Sequence, residues 1–255
     1  MDAGHFLKGM VMDGVEANVA GQFADRGGVL LTRPRVAAVF WGEGWKAEAQ
    51  ALTALWVEWF FVAVVAGAFL EQIQNLYGRA GEPFESGTFA GAVRVGDRRI
   101  ARVVTDAEIR RMLEEWIEGG IVERPGAGTL YFVYPPPGWV VECSEGSSAE
   151  RLCGYHDSFV TAANEAVYYA VIPYPDVPAC RYGLPVEDAL TVSSSHELAE
   201  ALTDPVIGTG WYEETRGEVA DACVPRAGEA LHGYIKRVDG FVMQRLWSDA
   251  AGKCV

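Results

Sequence analysis

Residues 193–205 read SSSHELAEALTDP, and the rest of the chain is interpreted outward from this stretch. The pattern around it predicts a helix over residues 188–203. Side chains four residues apart lie on one face of a helix, one turn above each other. His196 and Glu200 have that spacing, so both can reach one cation, and Glu197 is angled toward the same side.

The string HELAE differs from the helical zinc signature His-Glu-x-x-His only at its last position. In that signature the glutamate after the first histidine is the general base that takes a proton from water, and Glu197 has that place. A carboxylate oxygen can bind zinc at about 2.0–2.2 Å, so Glu200 is compatible with a zinc site. Its extra negative charge also admits other divalent ions. The alternative is an ordinary helix with a solvated Glu200 and a surface His196.

A catalytic zinc usually has three protein ligands and a water, so a third ligand is needed. Asp204 follows His196 by two helical turns, a rise of about 12 Å, and is expected to cap the helix or hold a neighbouring loop. Glu218, within RGEVADAC, is the better third ligand. Asp221 can then accept a hydrogen bond from the ring N–H of a ligand histidine and so fix its orientation. If this segment is not helical, Asp221 can bind the metal itself.

Two further residues are candidates for a catalytic role. His156, in CGYHDSF, can stabilise an oxyanion or bind metal, and it is equally compatible with a loop histidine bonded to a backbone carbonyl. The phenol of Tyr212 can also stabilise an oxyanion, although packing in a GWY turn is the simpler interpretation. His232 is interpreted as structural.

Composition excludes some partners. The 255 residues carry a formal charge of −14, which disfavours binding to phosphate backbones and to anionic membranes, so nucleic acid is not an expected partner. The longest uncharged run, Trp59 to Leu70, is too short to span a bilayer and predicts a buried helix. The first residues lack a basic region followed by an apolar one, so no secretory signal is visible.

The remaining pattern predicts an α+β or α/β fold in one domain. Residues 1–26 are expected to be a peripheral segment, and residues 27–255 a single domain with a mixed sheet, the motif helix and a loop-rich C-terminal half. Predicted strands are 36–41, 129–134 and 167–172, with a strand or hairpin in 87–104. Predicted helices are 46–77, broken at Gly67, and one that begins at Thr105–Asp106 and ends at the glycine pair 119–120.

The five cysteines form no C-x-x-C pair. Cys143 and Cys153 flank a polar loop that a disulfide could close, and a bridge at Cys254 would hold the C-terminal tail. The odd number leaves at least one thiol without a partner in the chain. Five reduced, buried thiols are the alternative.

Several segments taken together resemble a known family. They are GGVLLTRPRVAAVFWG at 27–42, CGYHDSF at 153–159, VYYAVIPYP at 167–175, HELAEALTDP at 196–205, GEVADAC at 217–223 and WSDAAGKC at 247–254. Their order resembles a bacterial group of zinc metallopeptidases related to the plant EXORDIUM, or phosphate-induced, family. The resemblance covers about residues 27–254, and its specificity is in the ordered set of segments.

The resemblance implies a zincin-like catalytic domain with one zinc ion held by His196, Glu200 and Glu218. It implies export from the cell, although no signal segment is visible and a cytoplasmic location is not excluded. It also implies a disulfide between Cys223 and Cys254.

Two functions follow as expectations. The first is a zinc metallopeptidase that acts on a peptide or protein, with Glu197 as general base. The second is a non-catalytic extracellular binding or signalling module, in which the metal site is structural or vestigial. The sequence does not predict the oligomeric state.

Overall fold

The computed structural model describes residues 22–97, 103–225, 229 and 231–255. The helices are α1 Glu48–Val64, α2 Ala68–Tyr77, α3 Asp106–Glu118, α4 Pro178–Arg181 and α5 Val186–Thr203. Short 3₁₀ turns are Glu43–Lys46, Asp221–Cys223 and Leu231–Gly233.

The strands are β1 Ala24–Asp25, β2 Arg35–Trp41, β3 Thr88–Val95, β4 Val103–Thr105, β5 Thr129–Tyr134, β6 Val140–Cys143, β7 Gly146–Ser147, β8 Tyr155–Val160, β9 Ala166–Val171, β10 Trp211–Glu213, β11 Gly217–Glu218, β12 Ile235–Val238, β13 Phe241–Gln244, β14 Trp247–Ser248 and β15 Lys253–Cys254.

A five-stranded mixed sheet is the centre of an α+β fold, as predicted. Its strand order is β3-β2-β5-β9-β8, with the first four strands parallel and β8 antiparallel at the edge. The apolar runs predicted as strands form β2, β5 and β9. They are continuous rather than alternating because both faces of the sheet are covered.

Alternate residues of β5 show the two layers. Leu130 and Phe132 pack with helices α1, α2 and α5 on one face. Tyr131 and Val133 pack with helix α3 on the other face. The motif helix therefore lies in the larger of the two cores, against the sheet and beside α1.

The other local predictions can be compared with the structure. Helices α1 and α2 meet at Gly67, and Thr105 accepts a hydrogen bond from the backbone N–H of Glu108 at the start of α3, so both predictions are confirmed. The strand predicted in 87–104 is present as β3, and Val103–Thr105 pairs with β6, whereas the hairpin alternative depends on the residues between them. Residues 98–102 lie outside the described residues.

The predicted peripheral segment, 1–26, lies mostly outside the described residues. Of its last residues, Phe23 is buried and Ala24–Asp25 pairs with Trp211–Glu213. Strand β1 therefore adjoins the part of the C-terminal half that includes Tyr212.

Among the described residues, no single helix combines the length and the apolarity that a membrane crossing needs. Helices α1 and α2 meet that test only as a pair, and they are bent by 52° against each other.

The motif helix α5 is enclosed on every side: every residue from Ala189 to Thr203 is buried. Hydroxyl groups allow its neighbours to approach closely. Ser194 bonds to the phenol of Tyr134 at 2.8 Å, and Ser195 accepts a hydrogen bond from the backbone N–H of Gln244 at 2.9 Å. The charged side chains between Ala189 and Thr203 are therefore held inside the protein, where each needs a partner.

Two disulfides are present, Cys153–Cys180 and Cys223–Cys254, and Cys143 is a free, half-buried thiol. The Cys223–Cys254 prediction is confirmed. A Cys143–Cys153 bridge is wrong, because Cys143 packs with the core on the α3 side whereas Cys153 packs with Cys180 in a separate cluster. Two disulfides fit an extracellular location.

We expect Cys254→Ser to lower the free energy of unfolding by about 3–4 kcal/mol, because the bridge closes a loop of roughly 30 residues in the unfolded chain. Cys143→Ser is the matched control and should change stability by less than about 1 kcal/mol, since it removes no bridge. Urea denaturation under non-reducing conditions measures both values. Equal losses in the two variants would contradict the assigned pairing.

Candidate metal centre

The first group of candidate ligands joins the motif helix to the segment 217–223. The Nε2 atom of His196 is 3.1 Å from Oε2 of Glu200 and 3.7 Å from Oδ1 of Asp221. Ligand atoms of these three residues all lie within 4.8 Å of one another. The segment that supplies Asp221 is a strand followed by a 3₁₀ turn. Asp221, and not Glu218, is therefore the acid next to His196 and Glu200.

His196 is oriented by Gln244, at the end of β13. The Nδ1 atom of His196 donates to Oε1 of Gln244 at 2.9 Å, while Nε2 of Gln244 donates to the carbonyl of Ala220 at 2.6 Å. The bond to a carbonyl fixes the amide orientation, so the oxygen of Gln244 faces the ring. Nδ1 of His196 thereby keeps its proton, which leaves Nε2, facing the two carboxylates, as the ring atom that would bind a metal.

We expect Gln244→Leu to weaken zinc affinity by about 10- to 100-fold, because the ring loses the acceptor that fixes its tautomer. Competition with a chromogenic chelator measures the affinity. Gln244→Glu retains an acceptor for Nδ1–H and should recover affinity to within about tenfold of the wild type. Gln72→Leu, a change of the same kind outside the site, is the control. Wild-type affinity in Gln244→Leu would contradict the assigned role.

The second group is centred on His156, which lies on the edge strand β8. Its Nδ1 atom is 3.4 Å from Oε2 of Glu197 and 3.8 Å from Oε2 of Glu200. Its Nε2 atom is 3.3 Å from both Oε1 of Glu218 and the backbone carbonyl of Asp204. His156 thus contacts three carboxylates and a backbone carbonyl at once. These contacts are compatible both with metal binding and with a histidine bonded to a backbone carbonyl.

Asp204 has the capping role expected from its spacing. Its carboxylate accepts hydrogen bonds from the backbone N–H groups of Gly208, Thr209 and Gly210 at 2.6, 2.9 and 2.6 Å. It fixes the loop that follows the motif helix and is not part of either ligand group.

Tyr212 lies on β10, directly opposite Glu218 on β11, and the guanidinium of Arg26 is 4.6 Å from the centre of its ring. Burial, followed by the charges of Glu218 and Asp221, raises the pKa of its phenol. The side chain is half-buried beside the site, and its described contacts fit packing better than direct chemistry.

Glu145, in the turn between β6 and β7, is near enough for the charges of the site to act on its carboxyl group. Its Oε2 atom is buried without a hydrogen-bond partner. Burial, and then the negative charge of Glu197, raises its pKa to about 9. The charges of Glu218 and Glu200 act in the same direction, so a fifth acid belongs to this cluster.

Two glycines permit the close packing of these carboxylates. A Cβ atom at Gly154 would lie 2.7 Å from Oε1 of Glu197. Gly217 has φ +84° and abuts the carboxylate of Asp221, so a side chain there would be both strained and obstructed. The glycines in CGYH and GEVADAC thus allow backbone to pass directly over the acids.

The electrostatics of the cluster fit a cation. Burial raises the pKa of Glu197, of Asp221 and of Glu218, the last to about 8. Burial alone would lower the pKa of His196, but Glu200 and then Glu197 outweigh it and raise that pKa to about 10. Burial disfavours the ionised carboxylates, and the carboxylates in turn favour a positive charge on the imidazole. A bound cation would satisfy both tendencies.

Unpartnered atoms point to the same conclusion. The buried atoms without a hydrogen-bond partner include His196 Nε2, Glu197 Oε1, Glu200 Oε2 and Glu218 Oε1. Such atoms are rare in protein interiors, and these four belong to residue types that bind metals and lie in one cluster. This group of buried histidines and glutamates can therefore hold a metal ion.

The structure brings together His156, His196, Glu197, Glu200, Glu218 and Asp221 from segments far apart in the chain. Sequence reasoning missed Glu145, Gln244 and Cys180. Glu145 is one acid in a polar loop, and Gln244 ends an apolar strand, so neither carries a local signal. His232 is exposed in a 3₁₀ turn and is not in the cluster.

Comparison of the chain with protein families, curated proteins and solved structures finds no match.

Proposed function

We propose that this protein is a metal-dependent hydrolase and, within that class, a zinc peptidase. The observation that carries the proposal is the convergence of unpartnered, buried ligand atoms of His196 and Glu200, with Asp221 beside them, next to the free Oε1 of Glu197. An ordinary helix would leave these side chains solvated or hydrogen-bonded.

Some of these residues would hold the metal ion, and others would take part in the reaction. His196, Glu200 and Asp221 would hold a zinc ion, which acts as a Lewis acid on a carbonyl and makes water acidic enough to ionise near neutral pH. Glu197 accepts the proton of the attacking water at Oε1 and delivers it to the leaving nitrogen. His156 holds the other oxygen of Glu197 and so fixes the direction of the free one.

The position of His156 favours a peptide as the substrate. It lies on β8, the edge strand of the described five-stranded sheet. The outer edge of such a strand can present backbone donors and acceptors to an extended peptide, although those of Ser158 are already bonded to the side chains of Asp157 and Arg110. An extended chain bound there would run past the carboxylates of the site. Export of the protein from the cell belongs to this proposal and is supported by the two disulfides.

One observation favours a second candidate function. His196, Glu197 and Glu200 are completely buried, and His156 and Glu218 are nearly so. A closed metal site is typical of structural zinc, whereas a catalytic site keeps a position open for water or substrate. A binding module with a structural metal is therefore the alternative.

Metal content and hydrolysis test the proposal together. Elemental mass spectrometry of the oxidised protein should find bound zinc, and a peptide library read by mass spectrometry should show cleavage. The chelator 1,10-phenanthroline should abolish cleavage, and added zinc should restore it. Protein without metal, or cleavage that survives complete metal removal, would refute the proposal.

Cobalt substitution separates the two candidates. In a catalytic site, acetohydroxamate should bind the ion and shift the visible absorption bands of Co²⁺. A cobalt spectrum that saturating acetohydroxamate leaves unchanged would favour the closed site of a binding module.

A further inference from the structure

The cluster contains more negative charge than one divalent ion offsets. Glu197, Glu200, Glu218 and Asp221 surround two imidazoles, and their side chains are at most 10% exposed. With all four ionised, one divalent cation offsets two of the four charges and a second offsets the other two. Unpaired charge is costly in a protein interior, so the composition of the cluster favours two cations.

The ligand atoms fall into two groups that share one residue. His196, Glu200 and Asp221 form the first, and His156, Glu197 and Glu200 form the second. In the second group Nδ1 of His156 is 3.4 Å from Glu197 Oε2 and 3.8 Å from Glu200 Oε2. Ligands bound tetrahedrally at about 2.1 Å lie about 3.4 Å apart, so each group has the spacing of a metal site.

One carboxylate oxygen of Glu200 lies near the ligand atoms of both groups. Its Oε1 accepts hydrogen bonds from the backbone N–H groups of Ala220 and Asp221 at 3.2 and 3.0 Å. Its Oε2 has no hydrogen-bond partner and faces the imidazoles of both His196 and His156. The unpartnered, fully buried Oε2 of Glu200 is the observation, independent of charge, that points to a ligand.

We propose that this centre binds two divalent cations, one in each group, with Glu200 Oε2 shared between them. The inference rests on the metal site of the proposed function. The second cation is held by Nδ1 of His156 and Oε2 of Glu197, which leaves Oε1 of Glu197 free for its proton. One imidazole with carboxylates suits Zn²⁺ or Mn²⁺. Glu218, 3.3 Å from Nε2 of His156, is the remaining acid that neutralises the pair.

Metal stoichiometry tests this proposal without reference to activity. Metal-free, folded protein is titrated with Zn²⁺ in a calorimeter, and the bound metal is counted by elemental mass spectrometry after gel filtration. We expect two ions per wild-type chain and one in His156→Ala, which removes a ligand of the second group only. His232→Ala, with the same change at an exposed histidine, should keep two.

Manganese gives a second readout that needs no variant. Two Mn²⁺ ions that share a carboxylate oxygen are magnetically coupled, so the electron paramagnetic resonance signal per ion should fall as the second equivalent is added. Saturation of wild type at one ion, two ions in His156→Ala, or two uncoupled Mn²⁺ ions would each overturn the proposal. A single ion with metal-dependent cleavage would refute only the second cation, whereas no ion at all would refute the proposed function as well.

Discussion

Glu200→Gln yields a folded protein that retains less than about one-tenth of the wild-type zinc, because the shared ligand oxygen loses its charge. The amide can still accept the hydrogen bonds that Oε1 of Glu200 receives from Ala220 and Asp221. Glu200→Ala loses zinc as well, but it also leaves those two backbone N–H groups without an acceptor, at a cost of about 1–3 kcal/mol for each buried group.

Comparison of these two variants separates the ligand role of Glu200 from its structural role. Zinc content is measured by elemental mass spectrometry, and stability by thermal unfolding with and without chelator. With chelator present, Glu200→Gln and wild type should unfold at similar temperatures, because the wild type has then lost the stabilisation by bound metal. Glu187→Gln, on the first turn of the same helix, is the control. Full zinc content in Glu200→Gln would show that HELAE is not a metal motif.

Glu197→Gln should lower peptide turnover by about 10²- to 10⁴-fold, because an amide cannot accept the proton of the attacking water. Its ion on His196, Glu200 and Asp221 should remain bound, since none of those ligands is changed. Turnover and zinc content are measured on the same preparation. Activity within about tenfold of wild type would remove Glu197 from the role of general base.

The elements that could be predicted from sequence are those with strong local signals. The runs at β2 and β5 are apolar, rich in β-formers and bounded by glycine or proline, and Thr105 marks the start of α3. The motif helix was also predictable. The burial of its residues 189–203 was not, because the string SSSHELAE is polar enough to be interpreted as a surface segment. Only the packing of the sheet, α1 and β13 around it determines its environment.

The site was predictable in part for the same reason. The proximity of His196 and Glu200 follows from their spacing along one helix, and the two side chains are 3.1 Å apart in the structure. The choice between Glu218 and Asp221 depended on whether their segment is helical, and a strand followed by a 3₁₀ turn brings Asp221 to His196. Gln244 reaches the site from a strand 48 residues away along the chain. Such contacts follow from the tertiary fold and leave no trace in sequence spacing.

The disulfide between Cys223 and Cys254 has a consequence for the timing of biogenesis. It anchors the turn that begins at Asp221 to a residue 31 positions further along the chain. While the protein is being synthesised, the motif helix emerges first, but this anchor cannot form until residue 254 has left the ribosome. The carboxylate of Asp221 is therefore fixed later than the motif helix, and a nascent chain would carry His196 and Glu200 before the candidate metal centre is complete.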